Sequence, residues 1–216
     1  ASASDDGSRA SMPVLGRLRA RIARAAGRHD EALRLLDAHL ARLRAAGAPA
    51  IEQALTLYAL GVAVRGGATP EDARGPLEEA LRLAREAGNA PLEVDALNSL
   101  AFFPFREGDT AAARVLQEQA LALAIRTGRR TTEALVRGNL GRTRMQAGDL
   151  EGALEEALRA EELMRTHGDA PGLRGVLRLV VQLRAQRGEL VSGREALRDL
   201  LALDVPGTPA EDRSFA

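Results

Sequence analysis

Glycine recurs along this chain at a fixed interval. Gly108, Gly148 and Gly188 are 40 residues apart, and Gly88, Gly128 and Gly168 keep the same spacing. Upstream, Gly27 and Gly67 are again 40 apart, and Gly47 precedes Gly88 by 41. A period of this length marks a stacked repeat, in which one small unit is copied and each copy covers its neighbour's apolar face. The clearest copy is residues 131–168, where two amphipathic runs flank the break at Gly148-Asp149.

The period divides the chain into five units, approximately 13–47, 48–88, 89–128, 129–168 and 169–204. Residues 1–12 are small, polar and aperiodic and read as a disordered lead-in. Pro13 opens a run in which Val14, Leu15, Leu18 and Ile22 have helical spacing. Asp30 is expected to cap the return helix, its carboxylate accepting amide protons of the first turn. Later units open at Pro49, Pro91 and Pro171, with residues 129–132 in place of proline in the fourth. In the second unit Thr69 is the expected cap and Pro70 the first helical position. Pro76 predicts a kink or a late start there, and Pro104 a bend or an early end in the third unit, because proline lacks the amide proton. Residues 205–216 carry two prolines and no period, and read as tail or linker. Ten helices of about 14 to 18 residues result, and their short connections make neighbours antiparallel.

Aromatics are 2% of a chain that is 45% hydrophobic, so Leu, Ala and Val must build the core and helix axes must lie close. Cysteine is absent, which excludes disulfides and thiolate metal sites. All 30 basic residues are arginine, which a GC-rich coding bias explains, and the net charge is zero. No global field therefore favours nucleic acid or an anionic membrane. No apolar run approaches the roughly 18 residues of a spanning helix. The first residue is Ala rather than Met, which reads as a domain cut from a longer protein.

At the level of particular residues the units resemble tetratricopeptide (TPR) repeats. That motif has Leu-Gly in the first helix (A), Gly-Asp in the turn, and Ala, a bulky apolar residue and Ala in the second helix (B). The fourth unit has Leu140, Gly141, Gly148, Asp149, Ala153, Leu154 and Ala160. The third has Leu100, Ala101, Gly108, Asp109, Ala113 and Ala120, and the second Leu60, Gly61, Ala73 and Ala80. The period of 40, where the family's standard is 34, is a departure, and the first and fifth units match poorly. The resemblance implies an all-α, right-handed solenoid of about five antiparallel helix pairs. Longer repeats rich in Ala, Leu and Arg are also similar to arrays in bacterial LuxR-type and MalT-like regulators.

Family geometry puts a concave groove along the A helices. On this chain it would present Tyr58, Phe102 and Phe105 as apolar anchors. Asn98, Asn139 and Gln182 would be hydrogen bonders, and Arg65, Arg106, Arg142 and Arg178 would meet carboxylates. The competing reading of residues 101–109 is packing, with Phe103 directed into the core. His29, His39 and His167 lack metal-ligand spacing, and the acid pairs Glu78-Glu79 and Glu155-Glu156 read as solvated faces. The arginine run at Arg17, Arg19, Arg21 and Arg24 could touch anions, but adjacent acids and the zero net charge favour a solvated helix face. Nothing converges as a catalytic group, a cofactor site or a metal site. The expected function is a non-enzymatic scaffold from bacterial, cytoplasmic signalling or transcription control. It would bind a protein or peptide segment, with self-association as a further option and no contact with nucleic acid or membrane. The alternative is a ligand- or peptide-sensing domain that passes a curvature change to an attached effector.

Overall fold

The computed structural model describes residues 5–65 and 70–203. The chain falls into two compact units, Ala1–Phe103 and Pro104–Ala216. The first contains α1 (Asp5–Ala25), α2 (His29–Ala45), α3 (Ala50–Arg65), a short 3-10 turn (Pro70–Ala73), α4 (Arg74–Glu86) and α5 (Ala90–Leu100). Helix α6 (Phe102–Glu107) spans the division. The second contains α7 (Thr110–Arg126), α8 (Arg130–Gln146), α9 (Leu150–His167), α10 (Ala170–Gln186) and α11 (Leu190–Ala202). No strand occurs among the described residues. Within each unit every helix packs on the next, and the A helices α1–α3, α3–α5 and α8–α10 also touch.

One two-residue device joins the helices. Gly148 adopts φ of 84°, a left-handed conformation that side chains disfavour, and its Cβ position is open. Its amide donates to the carbonyl of Met145, and that of Asp149 to Arg144, closing the last turn of α8. The Asp149 carboxylate then accepts the amide of Gly152 at 2.9 Å and starts α9. One residue thus ends one helix and begins the next. Asn89 and Asp169 do the same at the starts of α5 and α10.

The first unit departs from the expected cap. Arg28, not Asp30, follows the left-handed Gly27 and occupies the capping position of α2, where its side chain pairs with Glu31 at 2.9 Å and accepts no amide of the first turn. Asp30 lies inside the first turn, where a carboxylate still favours the helix dipole. Helix α1 begins at Asp5, eight residues before Pro13, so 5–12 is helical where the sequence reads as a lead-in. Thr69, residues 1–4 and residues 204–216 lie outside the described residues.

The prolines act where their missing amide is tolerated. Pro76 is the third residue of α4, a position whose N–H has no partner inside the helix, so α4 starts late. Pro104 has no proton to offer the carbonyl of Leu100, and the third A helix is interrupted at Ala101 between α5 and α6. The third A helix is accordingly two segments, with a break at Ala101 and helix resuming to Glu107 rather than ending near Phe103.

The small residues of the repeat mark close crossings in the core. Ala73, Ala80, Ala101, Ala113, Ala120, Ala153 and Ala160 are all fully buried. A Cβ on Gly61 would stand 2.6 Å from Cγ of Leu77, and one on Gly141 would stand 3.1 Å from the carbonyl oxygen of Ala153. At Gly61 the A-helix backbone therefore meets a side chain of α4, and at Gly141 it meets the backbone of α9.

Candidate functional site

In the first unit, α1 and α3 leave between them a groove of about 320 Å³. Its lining is apolar: Val14, Leu18 and Ala20 from α1, Ala32 and Leu36 from α2, and Tyr58, Ala59, Val62 and Ala63 from α3. Arg17, Arg21 and Arg24 complete it, at positions i, i+4 and i+7 of α1 and hence on one helix face. No carboxylate lines the groove among the described residues. Arg17 donates to Glu52 of α3 at 2.6 Å, an ion pair that ties α1 to α3. Arg21 and Arg24 are exposed, with no ion pair among the described residues.

Tyr58 is the one sequence-derived candidate in this groove. Two more meet at the far end of α3. The Arg65 guanidinium lies 5.3 Å from the ring centroid of Phe102, a cation–π distance. Phe102 in turn meets Phe103 edge to face at 5.6 Å. Phe103 is buried, as the packing reading expects, with the Arg74 guanidinium 4.8 Å from its ring. Asn98 is half-buried on α5.

In the second unit Arg142 donates to the side-chain oxygen of Asn139 on α8. Arg142 is exposed by surface area, yet crowding by neighbouring atoms holds its guanidinium below the ordinary pKa. Arg178 and Gln182 are exposed one turn apart on α10. Helices α8 and α10 approach closely here: a Cβ on Gly138 would stand 3.1 Å from Cγ2 of Val176. Phe105 is half-buried, and its carbonyl accepts a bond from Gln146 of α8 at 3.4 Å. Arg106 is exposed in the last turn of α6. The candidates thus form local pairs, Arg65 with Phe102 and Asn139 with Arg142, on A helices of each unit.

Two features escape the sequence reading. The first is the arginine stripe of α1, which reads as a solvated face yet borders the groove. Its i, i+4, i+7 spacing beside Val14 and Leu18 is the signal that marks it. The second is a buried ion cluster in the second unit. Glu155 is exposed and pairs with Arg159 at 2.8 Å, but Glu156 is buried and takes a bond from Arg137 at 2.7 Å. Arg137 also bonds Glu133 at 3.0 Å, and Arg130 reaches Glu133 from the surface at 3.0 Å. Burial lowers the Arg137 pKa, but hydrogen bonds to Glu156 and Glu133 outweigh it and leave the value raised. The cluster is internal and paired, so it joins α8 to α9 rather than facing a ligand.

The three histidines lie apart. His29 and His167 are exposed, and His39 is buried beside Gly16, whose Cβ position lies 2.5 Å from the His39 ring. No helix among the described residues is long and apolar enough to cross a membrane.

Comparison with known proteins agrees with this architecture. The sequence profile of the tetratricopeptide repeat matches residues 11–86. No curated protein sequence matches the chain. Among solved structures, BtubC from P. vanneervenii superposes with a TM-score of 0.78 at 16% identity, over 98% of this chain and 89% of that one. The TPR-like repeats of a kinesin light chain from Podosopora anserina give 0.71 at 18% identity, over 89% of this chain and 95% of theirs. A Rap protein complexed with Competence and Sporulation Factor gives 0.78 at 13% identity, and this chain spans 54% of its length. Helix pairs closed by left-handed glycines, small residues at the A–B crossings of the middle units, and these likenesses lead to one conclusion: the chain is a TPR-like helical repeat.

Proposed function

We propose that the chain is a non-enzymatic interaction module that holds a segment of a protein partner against its A helices. The observation that carries this reading is the open apolar groove between α1 and α3, with Tyr58 inside it and arginines along one side. Arg65 on Phe102 and Arg142 beside Asn139 offer further recognition points of the aromatic and guanidinium kind that dominates binding energy. The setting we infer is cytoplasmic signalling or transcription control in a bacterium, from the similarity of the long Arg-rich repeats to regulator arrays.

The test is capture of a partner on the immobilised full chain, followed by affinity measurement for Tyr58→Ala in the groove and for Phe102→Ala, Phe105→Ala and Arg142→Glu beyond it. The reading expects at least one of these to weaken binding by about tenfold, or 1.4 kcal/mol. Unchanged affinity in all four ends it.

A second reading, a domain that senses a small ligand or peptide, is favoured by the fold it shares with a Rap protein solved in complex with Competence and Sporulation Factor. Thermal shift against peptides and metabolites separates the two: a stabilising small ligand with no captured protein supports the sensor. Light scattering across a concentration series tests self-association.

A further inference from the structure

From the groove in the first unit we infer the chemistry of its occupant: an acidic amphipathic helix, its apolar side in the groove and its carboxylates on Arg21 and Arg24. The inference rests on the reading of the chain as an interaction module and adds the character of the partner.

Three observations carry it. The groove lining combines nine apolar or aromatic side chains with three arginines and no carboxylate among the described residues. Such a surface complements a segment that is at once apolar and negative. Arg17 is already neutralised by Glu52 and held in place, while Arg21 and Arg24 are exposed with no ion pair among the described residues. They are the cations left to meet a ligand. Spacing then selects the conformation of the partner. Arg21 and Arg24 are one turn apart on α1, a rise of about 4.5 Å. Carboxylates three or four positions apart on a helix share a face at that pitch, whereas same-face residues of a strand are about 6.6 Å apart. A helix also supplies aliphatic side chains at i, i+3 and i+4 to enter an apolar groove from one side.

Fluorescence polarisation with the full chain tests it. The probe is a labelled helical peptide of about 14 residues, with leucines along one face and glutamates flanking them. Two controls accompany it: the same peptide with every Glu replaced by Gln, and a polyglutamate of equal length. The Leu/Glu peptide should bind, with affinity that falls as salt rises. The Gln peptide and the polyglutamate should each bind at least about tenfold more weakly. The double variant Arg21→Glu/Arg24→Glu should lose a similar factor, and Arg21→Gln/Arg24→Gln a smaller one. Both sites are exposed, and circular dichroism verifies that each variant is folded. No binding of the Leu/Glu peptide, or equal binding of the Gln peptide, overturns the inference. So does equal binding of the polyglutamate, which reveals only a patch for anions. Binding that is lost in Phe102→Ala or Arg142→Glu but kept in both Arg21/Arg24 variants also overturns it, and leaves the interaction module standing.

Discussion

Gly61 lies where α3 crosses α4, and replacing it by alanine adds a single methyl group. That carbon would stand 2.6 Å from Cγ and 2.8 Å from Cδ2 of Leu77, and 3.3 Å from the carbonyl oxygen of Ala73. Carbon atoms reach their best contact at about 3.5–4.0 Å, so Leu77 must retreat by about 1 Å. It has nowhere to go, being fully buried. Overpacking of this kind costs about 1–3 kcal/mol, against which alanine returns about 1 kcal/mol of helix propensity. The net expectation is a loss of about 0–2 kcal/mol, or up to very roughly 16 °C in the melting of a unit near 100 residues.

Gly175 is the control. It also sits inside a helix, α10, but nothing lies within 4 Å of its Cβ position. Gly175→Ala should therefore gain up to about 1 kcal/mol, the same chemical change with the opposite sign. A cycle isolates the contact. Leu77→Ala alone costs about 2–5 kcal/mol, but in that background Gly61→Ala should turn stabilising by about 1 kcal/mol. Urea unfolding followed by far-ultraviolet circular dichroism measures all four variants. Gly61→Ala more stable than the parent, as Gly175→Ala should be, or a cycle without a sign change, would refute the reasoning.

Further outcomes follow from other contacts. Arg137→Leu leaves Glu133 and Glu156 buried without their shared cation and should destabilise the second unit by about 3–5 kcal/mol in urea unfolding. Because the Arg137 pKa is raised on folding, its contribution is complete below the unfolded arginine value and is lost only in strong alkali. Unfolding midpoints of wild type and Arg137→Leu should accordingly keep a constant gap between neutral and mildly alkaline pH. Asp149→Ala removes the acceptor for the Gly152 amide and should cost about 1 kcal/mol by the same measurement. Glu189 holds the corresponding place before α11 without capping it, so Glu189→Asp should gain about 0.5–1 kcal/mol.

The hairpins were legible because each is set by local chemistry. A glycine that turns left, a short carboxylate after it, and alanines at the crossings act within a few residues of one another. Asp30 misled because the capping place directly follows the left-handed glycine, and after Gly27 that place holds Arg28, two positions before Asp30. Glu156 misled for a different reason. Its partner Arg137 is 19 residues away across a turn, and nothing in an adjacent acid pair says which member faces inward. The groove was half legible. Tyr58 is rare enough to stand out, whereas arginine is the basic residue everywhere in this chain, so Arg21 and Arg24 carry no distinction in composition. Only the placement of α1 beside α3 gives those two side chains an apolar neighbour to border.

The left-handed turn glycines have open space where a side chain would begin, and their demand is for torsion alone. A mirror-image amino acid prefers that torsion by its own sterics. D-alanine installed by chemical synthesis at Gly148 should hence rigidify the turn and gain about 0.4–1 kcal/mol by narrowing the unfolded ensemble. Natural L-residues cannot offer this, which makes the turns the places where a synthetic chemist could outdo the genetic code.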